Sequence, residues 1–208
     1  MDPDSVNFFA PHFLLQVQHL STNAHIILGI LILFLLVLTA LIAGSEVAFF
    51  SLSAKDINYI KQREDDGYKT ILNLIEQPKR LLATLLIGNN FLSIGVIIST
   101  NLLFNSLFDL SKLFPNLSNG LYTLLNIIIQ VVLVTFLLVL FGEVLPKVYA
   151  TQNNLKLSLF TAPFIKFLDK IFGPLSSFLV NSTGFIERRL SSKSRMSEIS
   201  NEDVEHAI

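Results

Sequence analysis

The sequence predicts an all-α membrane protein. Three transmembrane helices run from an outside N-terminus to an inside C-terminus, and cytoplasmic juxtamembrane helices follow. Three observations carry this. Three long stretches contain no charged residue. Charged residues are only 15% of the 208, against 51% hydrophobic, and mean hydropathy is +0.59. Nearly all basic residues fall in two segments. A soluble domain carries about 25% charge, so the composition argues against a soluble enzyme. It also argues against disorder, which needs low hydrophobicity and high charge. A net charge of -1 leaves no electrostatic footprint for nucleic acid. The absence of cysteine excludes disulfides, thiolate metal sites and cysteine nucleophiles.

Crossing about 30 Å of hydrocarbon takes roughly 20 apolar residues. Ile26–Gly44, Leu81–Phe108 and Leu121–Gly142 meet that need without a charge, and the third helix is expected to run on toward Ala150. The first is not a cleaved signal peptide, because no Lys or Arg precedes it and no small-residue cleavage site follows. Of the fifteen Lys and Arg, only Lys112 lies outside the 55–80 connection and the chain from Lys147 onward. The positive-inside rule then puts residues 1–24 outside the cell and both basic regions inside. Three spans satisfy that map and four do not.

Within the transmembrane domain, residues 25–150, the 53–80 connection is too polar to span. Ser53 and Asp56 have the spacing of a capping box that starts a new helix. Gly67 is expected to interrupt it, and Ile71, Leu72 and Ile75 give it an apolar face. Within the juxtamembrane stretch, residues 151–190, Leu155–Val180 is hydrophobic but broken by Lys156, Lys166, Asp169 and Lys170, and by Pro163 and Pro174. Such charges cost a few kcal/mol each in a lipid-facing span. The segment therefore reads as amphipathic helices lying in the cytoplasmic interface. Residues 191–208 read as a polar linker.

Polar groups at membrane depth are functional candidates. Three clusters stand out: Gly44-Ser45-Glu46, Gly88-Asn89-Asn90 with Ser93, and Gly142-Glu143 with Pro146-Lys147. At 1.5 Å per residue, each sits about 10–15 Å from the inner end of its helix. Hydroxyl, amide and carboxylate oxygens thus reach one level. Pro146 cannot donate to the carbonyl of Gly142, and freed carbonyls at membrane depth are tolerated where they line a cavity or bind an ion. An all-oxygen site with one or two carboxylates suits a hard cation, such as magnesium, calcium or sodium, rather than zinc or copper.

Plainer readings stand beside these. Ser93 shares a helix face with Asn90 and is a candidate ligand, but interhelical packing accounts more simply for Ser93, Asn101 and Asn105. Asn126 and Gln130 read as interhelical or dimer contacts. Glu143 could instead pair with Lys147, four residues on, and Glu46 could face the cytoplasmic mouth. His12, His19 and His25 lack a helical ligand spacing and read as solvated or interfacial. No nucleophile elbow or metal-ligand spacing appears, so an enzyme is not expected.

The order of these motifs resembles a known family. An uncharged span ends in Gly-Ser-Glu. A polar helix pair leads to Pro78-Lys-Arg-Leu-Leu-Ala-Thr-Leu-Leu-Ile-Gly-Asn-Asn90, and Phe141-Gly-Glu-Val-Leu-Pro-Lys147 closes the third span. About residues 25–190 resemble the transmembrane domain of the cyclin M/CorC magnesium-transporter family. Leu82–Asn90 is also similar to the gliding-motility branch of that family in Bacteroidetes. The resemblance implies a homodimer in the inner (plasma) membrane that carries Mg2+, usually as efflux, with Na+ proposed as a coupling ion. Carried onto this chain, the ligands would come from Ser45, from Asn90 ahead of Asn89, and from Glu143. Gly142 would offer its carbonyl, and Pro146 would shape a hinge for alternating access. Family members continue into nucleotide-binding CBS domains, and the tail from Ser191 resembles the start of the linker to them. On that ground the chain is expected to be truncated. The rival expectation is a membrane partner or Mg2+ sensor that does not transport and serves a motility or secretion assembly.

Overall fold

The computed structural model describes residues 22–108 and 118–205, with side chains for 22–108, 118 and 120–183. His12, His19 and Lys112 lie outside the described residues. In chain order the elements are α1 (Thr22–Phe50), α2 (Ala54–Lys61), α3 (Asp66–Ile75), α4 (Pro78–Leu107) and α5 (Asn119–Leu137). A π-helical segment (Leu138–Val144), α6 (Leu145–Gln152) and α7 (Asn154–Glu205) complete the chain. No strand occurs among the described residues.

Three helices are long and apolar enough to span: Thr22–Phe50, Pro78–Leu107 and the composite Gly120–Gln152. They match the three uncharged stretches. Phe34, Ile94 and Val132 on these helices are all more than half exposed. Side chains of that size, repeated along all three helices, fit a lipid environment, where the helix satisfies its own backbone. The protein is thus a multi-pass α-helical membrane protein.

The buried core lies at one end of the spans. Ile42 and Phe49 of α1, Ile60 of α2, Ile71 and Leu74 of α3, Leu81 and Leu85 of α4, and Ala162, Ile165 and Leu168 of α7 form one cluster. The short polar helices form because they lay their apolar faces on this cluster. Leu72 and Ile75 pack against it from α3, as the sequence pattern predicts.

The capping box forms as expected. Asp56 N–H donates to Ser53 Oγ at 3.2 Å, and Ser53 N–H donates to Asp56 Oδ2 at 2.9 Å. Hydrogen bonds from the Ser53 hydroxyl and N–H hold the Asp56 carboxyl below its usual value. A lowered folded-state value means the cap contributes fully above the ordinary carboxylate range, and its contribution is lost as pH falls through the folded value. Ser53→Ala should therefore weaken α2 by about 1 kcal/mol at neutral pH. Amide exchange over residues 54–57 would report this, and the difference from wild type should shrink below about pH 4.

The helix break falls at residues 62–65, not at Gly67. Asp65 is the N-cap of α3 and Gly67 lies in its first turn. Glu64, Asp65 and Asp66 favour a helix N-terminus at this point. Residues 154–205 form one helix through both Pro163 and Pro174, where several helices and a linker were expected. Both prolines are at exposed positions, where water or headgroups can serve the carbonyls they leave without a donor.

Candidate cation site

All three motif glycines mark contacts with α1. A Cβ on Gly142 would lie 3.3 Å from Thr39 Cγ2. One on Gly88 would lie 3.2 Å from Ile42 Cδ1, and one on Gly44 would lie 3.4 Å from the Pro146 carbonyl oxygen. Spans two and three therefore meet α1 between Thr39 and Gly44, a stretch of about 8 Å along the axis. One glycine of each polar cluster, Gly44, Gly88 and Gly142, thus lies at this stretch.

Ser45 is fully buried and donates to the Leu41 carbonyl of its own helix. Thr39, also fully buried, donates to Leu35 in the same way. A hydroxyl spent as a donor to its own backbone keeps its lone pairs for another donor or a cation.

The two asparagines differ. Asn90 is exposed, and its Nδ2 donates to the Leu86 carbonyl at 2.8 Å. Asn89 is half-buried, and its Oδ1 is buried without a hydrogen-bond partner. A buried acceptor without a partner is rare enough to call for an explanation. The geometry thus favours Asn89 as an inward oxygen, the reverse of the order the resemblance implies. Ser93 is half-buried one turn beyond Asn89, on the same face.

Glu143 lies in the π-helical segment. Leu145 N–H donates to Leu140, five residues back. The sequence anticipates a proline kink. The chain instead widens by one residue over Leu138–Val144, just before Pro146 near the start of α6. Such a segment absorbs the missing N–H by shifting register, and π-bulges occur frequently at functional sites. Glu143 is half-buried and has no hydrogen-bond or ion partner among the described residues. The alternative pairing with Lys147 is not formed, because Lys147 Nζ lies 3.2 Å from Glu46 Oε2. That pair is about 40% exposed on each side and contributes about 0–1 kcal/mol. It does tie up the other carboxylate, leaving Glu143 as the uncompensated one. Among the described residues no three His, Cys, Asp or Glu side chains gather, so any cation here would draw on the mixed oxygens above.

The remaining amides pair between helices, as expected. Asn101 Nδ2 donates to Gln130 Oε1 at 2.9 Å, Gln130 Nε2 to Asn105 Oδ1 at 2.7 Å, and Asn105 Nδ2 to Asn101 Oδ1 at 2.8 Å. These close a three-membered ring, and Asn126 Nδ2 adds a bond to Asn105 Oδ1 at 3.2 Å. The ring clasps α5 to α4 away from the three polar clusters. Gln130→Leu should lower stability by about 1–2 kcal/mol and leave cation binding unchanged, read by thermal unfolding and titration of the same sample.

Two points escape sequence reading. Arg80 and Asp169 form a bidentate ion pair, at 3.0 and 2.8 Å, across 89 positions. The π-helical register is the other.

A bundle of three apolar spans that meet at glycines, each beside a polar cluster, defines the class: a multi-pass membrane domain. A family profile described as the cyclin M transmembrane N-terminal domain matches residues 30–208, and the chain belongs to that family. It is also 30% identical over 148 residues to a "UPF0053 protein" of Haemophilus influenzae. The match covers 71% of this chain but 32% of that relative, so the chain spans about a third of its length.

Proposed function

We propose that this chain is the membrane domain of a magnesium transporter, with Ser45, Asn89 and Glu143 as side-chain ligands from three helices. Family membership supports a transporter-type membrane domain. The observation that carries the site is the buried, unpartnered Asn89 Oδ1, on the span that meets α1 at Gly88. An amide oxygen, a hydroxyl and one carboxylate are hard ligands, and magnesium prefers such sites while keeping part of its water shell. Gly142 offers a carbonyl beside Pro146, and Ser93 is an outer member of the set. Calcium and sodium are the competitors.

The transport reading takes the basic-residue map as inside. Magnesium would enter from that side, and the π-helical segment next to Pro146 would be the hinge of alternating access. Efflux, sodium coupling, inner-membrane location and a homodimer follow the resemblance and complete the proposal. Exposed Asn90, Ile94 and Ile97 fall at helical spacing on α4, a stripe suited to a second copy.

The test is titration of the purified chain with magnesium, calcium and sodium by calorimetry, followed by flux from proteoliposomes. Saturable magnesium binding with flux supports transport. Binding without flux moves the reading to a sensor or assembly partner, and no binding rejects the site.

A further inference from the structure

The Arg80–Asp169 pair belongs to a larger cluster. Thr84 Oγ1 donates to Asp169 Oδ1 at 3.0 Å, and Thr84 and Ser176 hydroxyls lie 2.9 Å apart. Thr84 and Ser176 are fully buried, and the ion pair is partly buried. Gly173 completes the fit, since a Cβ there would lie 2.8 Å from Arg80 Nη2. A guanidinium and a carboxylate in fork geometry, with a hydroxyl bridging on, fix orientation as well as distance.

This cluster holds α7 against the part of α4 that carries the candidate ligand. Leu168 Cδ1 and Phe172 Cε2 lie 3.6 and 4.0 Å from where a Gly88 Cβ would be. Phe172 also packs on Phe91, with ring centroids 5.9 Å apart. The contacts flank Asn89 on both sides along the chain. Arg80 and Thr84 are the positions two turns and one turn before Gly88 on the same helix.

We infer that α7 is a cover over the Asn89 region, and that Arg80, Thr84, Asp169 and Ser176 are positioning residues that hold it shut. This rests on Asn89 being part of the cation site. An apolar cover of Leu168 and Phe172 excludes water while closed. Opening needs the polar cluster to part, because the apolar contacts alone carry no fixed geometry. Ion access would then depend on the state of α7, the helix that leads out of the membrane domain toward the C-terminus.

The chain has no native cysteine, so one introduced thiol reports access cleanly. Asn89→Cys in lipid nanodiscs would be reacted with a charged methanethiosulfonate, with no divalent ion present. Slow modification is expected. Adding Asp169→Asn should speed it at least about ten-fold, and the exchange Arg80→Asp with Asp169→Arg should return it to within about three-fold of the start. Thr84→Val keeps the ion pair and should give about a three-fold rise; it decides the matter if Asp169→Asn fails to fold. An unchanged rate in Asp169→Asn, or a raised rate that the exchange does not restore, overturns the cover. The assay contains no magnesium, so a rate that responds as expected in a chain that binds no magnesium rejects the cation reading and keeps the cover.

Discussion

Glu143→Ala should weaken magnesium binding at least about 100-fold, equivalent to about 2.7 kcal/mol. The reason is charge count. Glu46 is engaged by Lys147, so Glu143 is the carboxylate left uncompensated in the three clusters. Affinity for hard divalent ions is tuned by the number of charged ligands and the rigidity of the site. Glu143→Gln separates charge from size: it keeps the shape and should lose nearly as much as alanine. Glu143→Asp keeps the charge on a shorter arm and should lose less. Because Glu143 has no hydrogen-bond or ion partner among the described residues, its removal breaks no polar contact there. Thermal unfolding without magnesium should therefore shift by no more than a few degrees in all three. Calorimetric titration at matched ionic strength would decide. Magnesium binding that is indifferent to Glu143→Ala would remove this residue from the site.

Sequence reading reaches some of this and not the rest, for physical reasons. The spans are legible because crossing a bilayer fixes both length and polarity. The Ser53–Asp56 box is legible because a cap is a local contact three residues long. The pairing of Gln130 with α4 through both its amide atoms follows from the cost of leaving amides unsatisfied at membrane depth. Which of Asn89 and Asn90 points inward is another matter. Adjacent residues on a helix differ by about 100°, and the rotation of α4 is set by Ile42, Leu168 and Phe172 packing at Gly88. The π-helical segment is half legible. Pro146 announces a missing donor, but a kink and a widened turn both answer it. Packing of Gly142 on Thr39 and of Pro146 on Gly44 fixes where this stretch lies against α1. Arg80 and Asp169 leave no local pattern at all, since the partner of each is 89 residues away.

Those contacts suggest how the parts depend on one another. The spans expose most of their large apolar side chains, while the buried cluster gathers where α1, α4 and α7 meet the polar helices. Stability and the candidate site therefore share one end of the bundle. The amide ring between α4 and α5 holds the other region by polar contact. Span three is thus clasped to α4 through Gln130 and packed on α1 through Gly142. The widened turn that carries Glu143 lies between that clasp and α6.

Gly88→Val is expected to have a large structural effect. An added Cβ meets Ile42 Cδ1 at 3.2 Å and Leu168 Cδ1 at 3.6 Å. Ile42 is fully buried and Leu168 is 7% exposed, so neither side chain has open space to swing into. Alanine needs the neighbour to give by a few tenths of an ångström, and its better helix propensity, about 1 kcal/mol over glycine, offsets that. Gly88→Ala should therefore be close to neutral in unfolding. Valine places two further methyl groups in the same gap. Overpacking of that kind costs about 1–3 kcal/mol, and the relief available is to move α4 away from α1 and α7. That motion separates Asn89 from Ser45, so magnesium affinity should fall by at least about ten-fold. The pair of substitutions thus divides propensity from close approach. Unfolding midpoints and magnesium titrations on both variants would measure it. A Gly88→Val chain that unfolds and binds magnesium as the wild type does would mean that the close packing of α1 on α4 does not build the site.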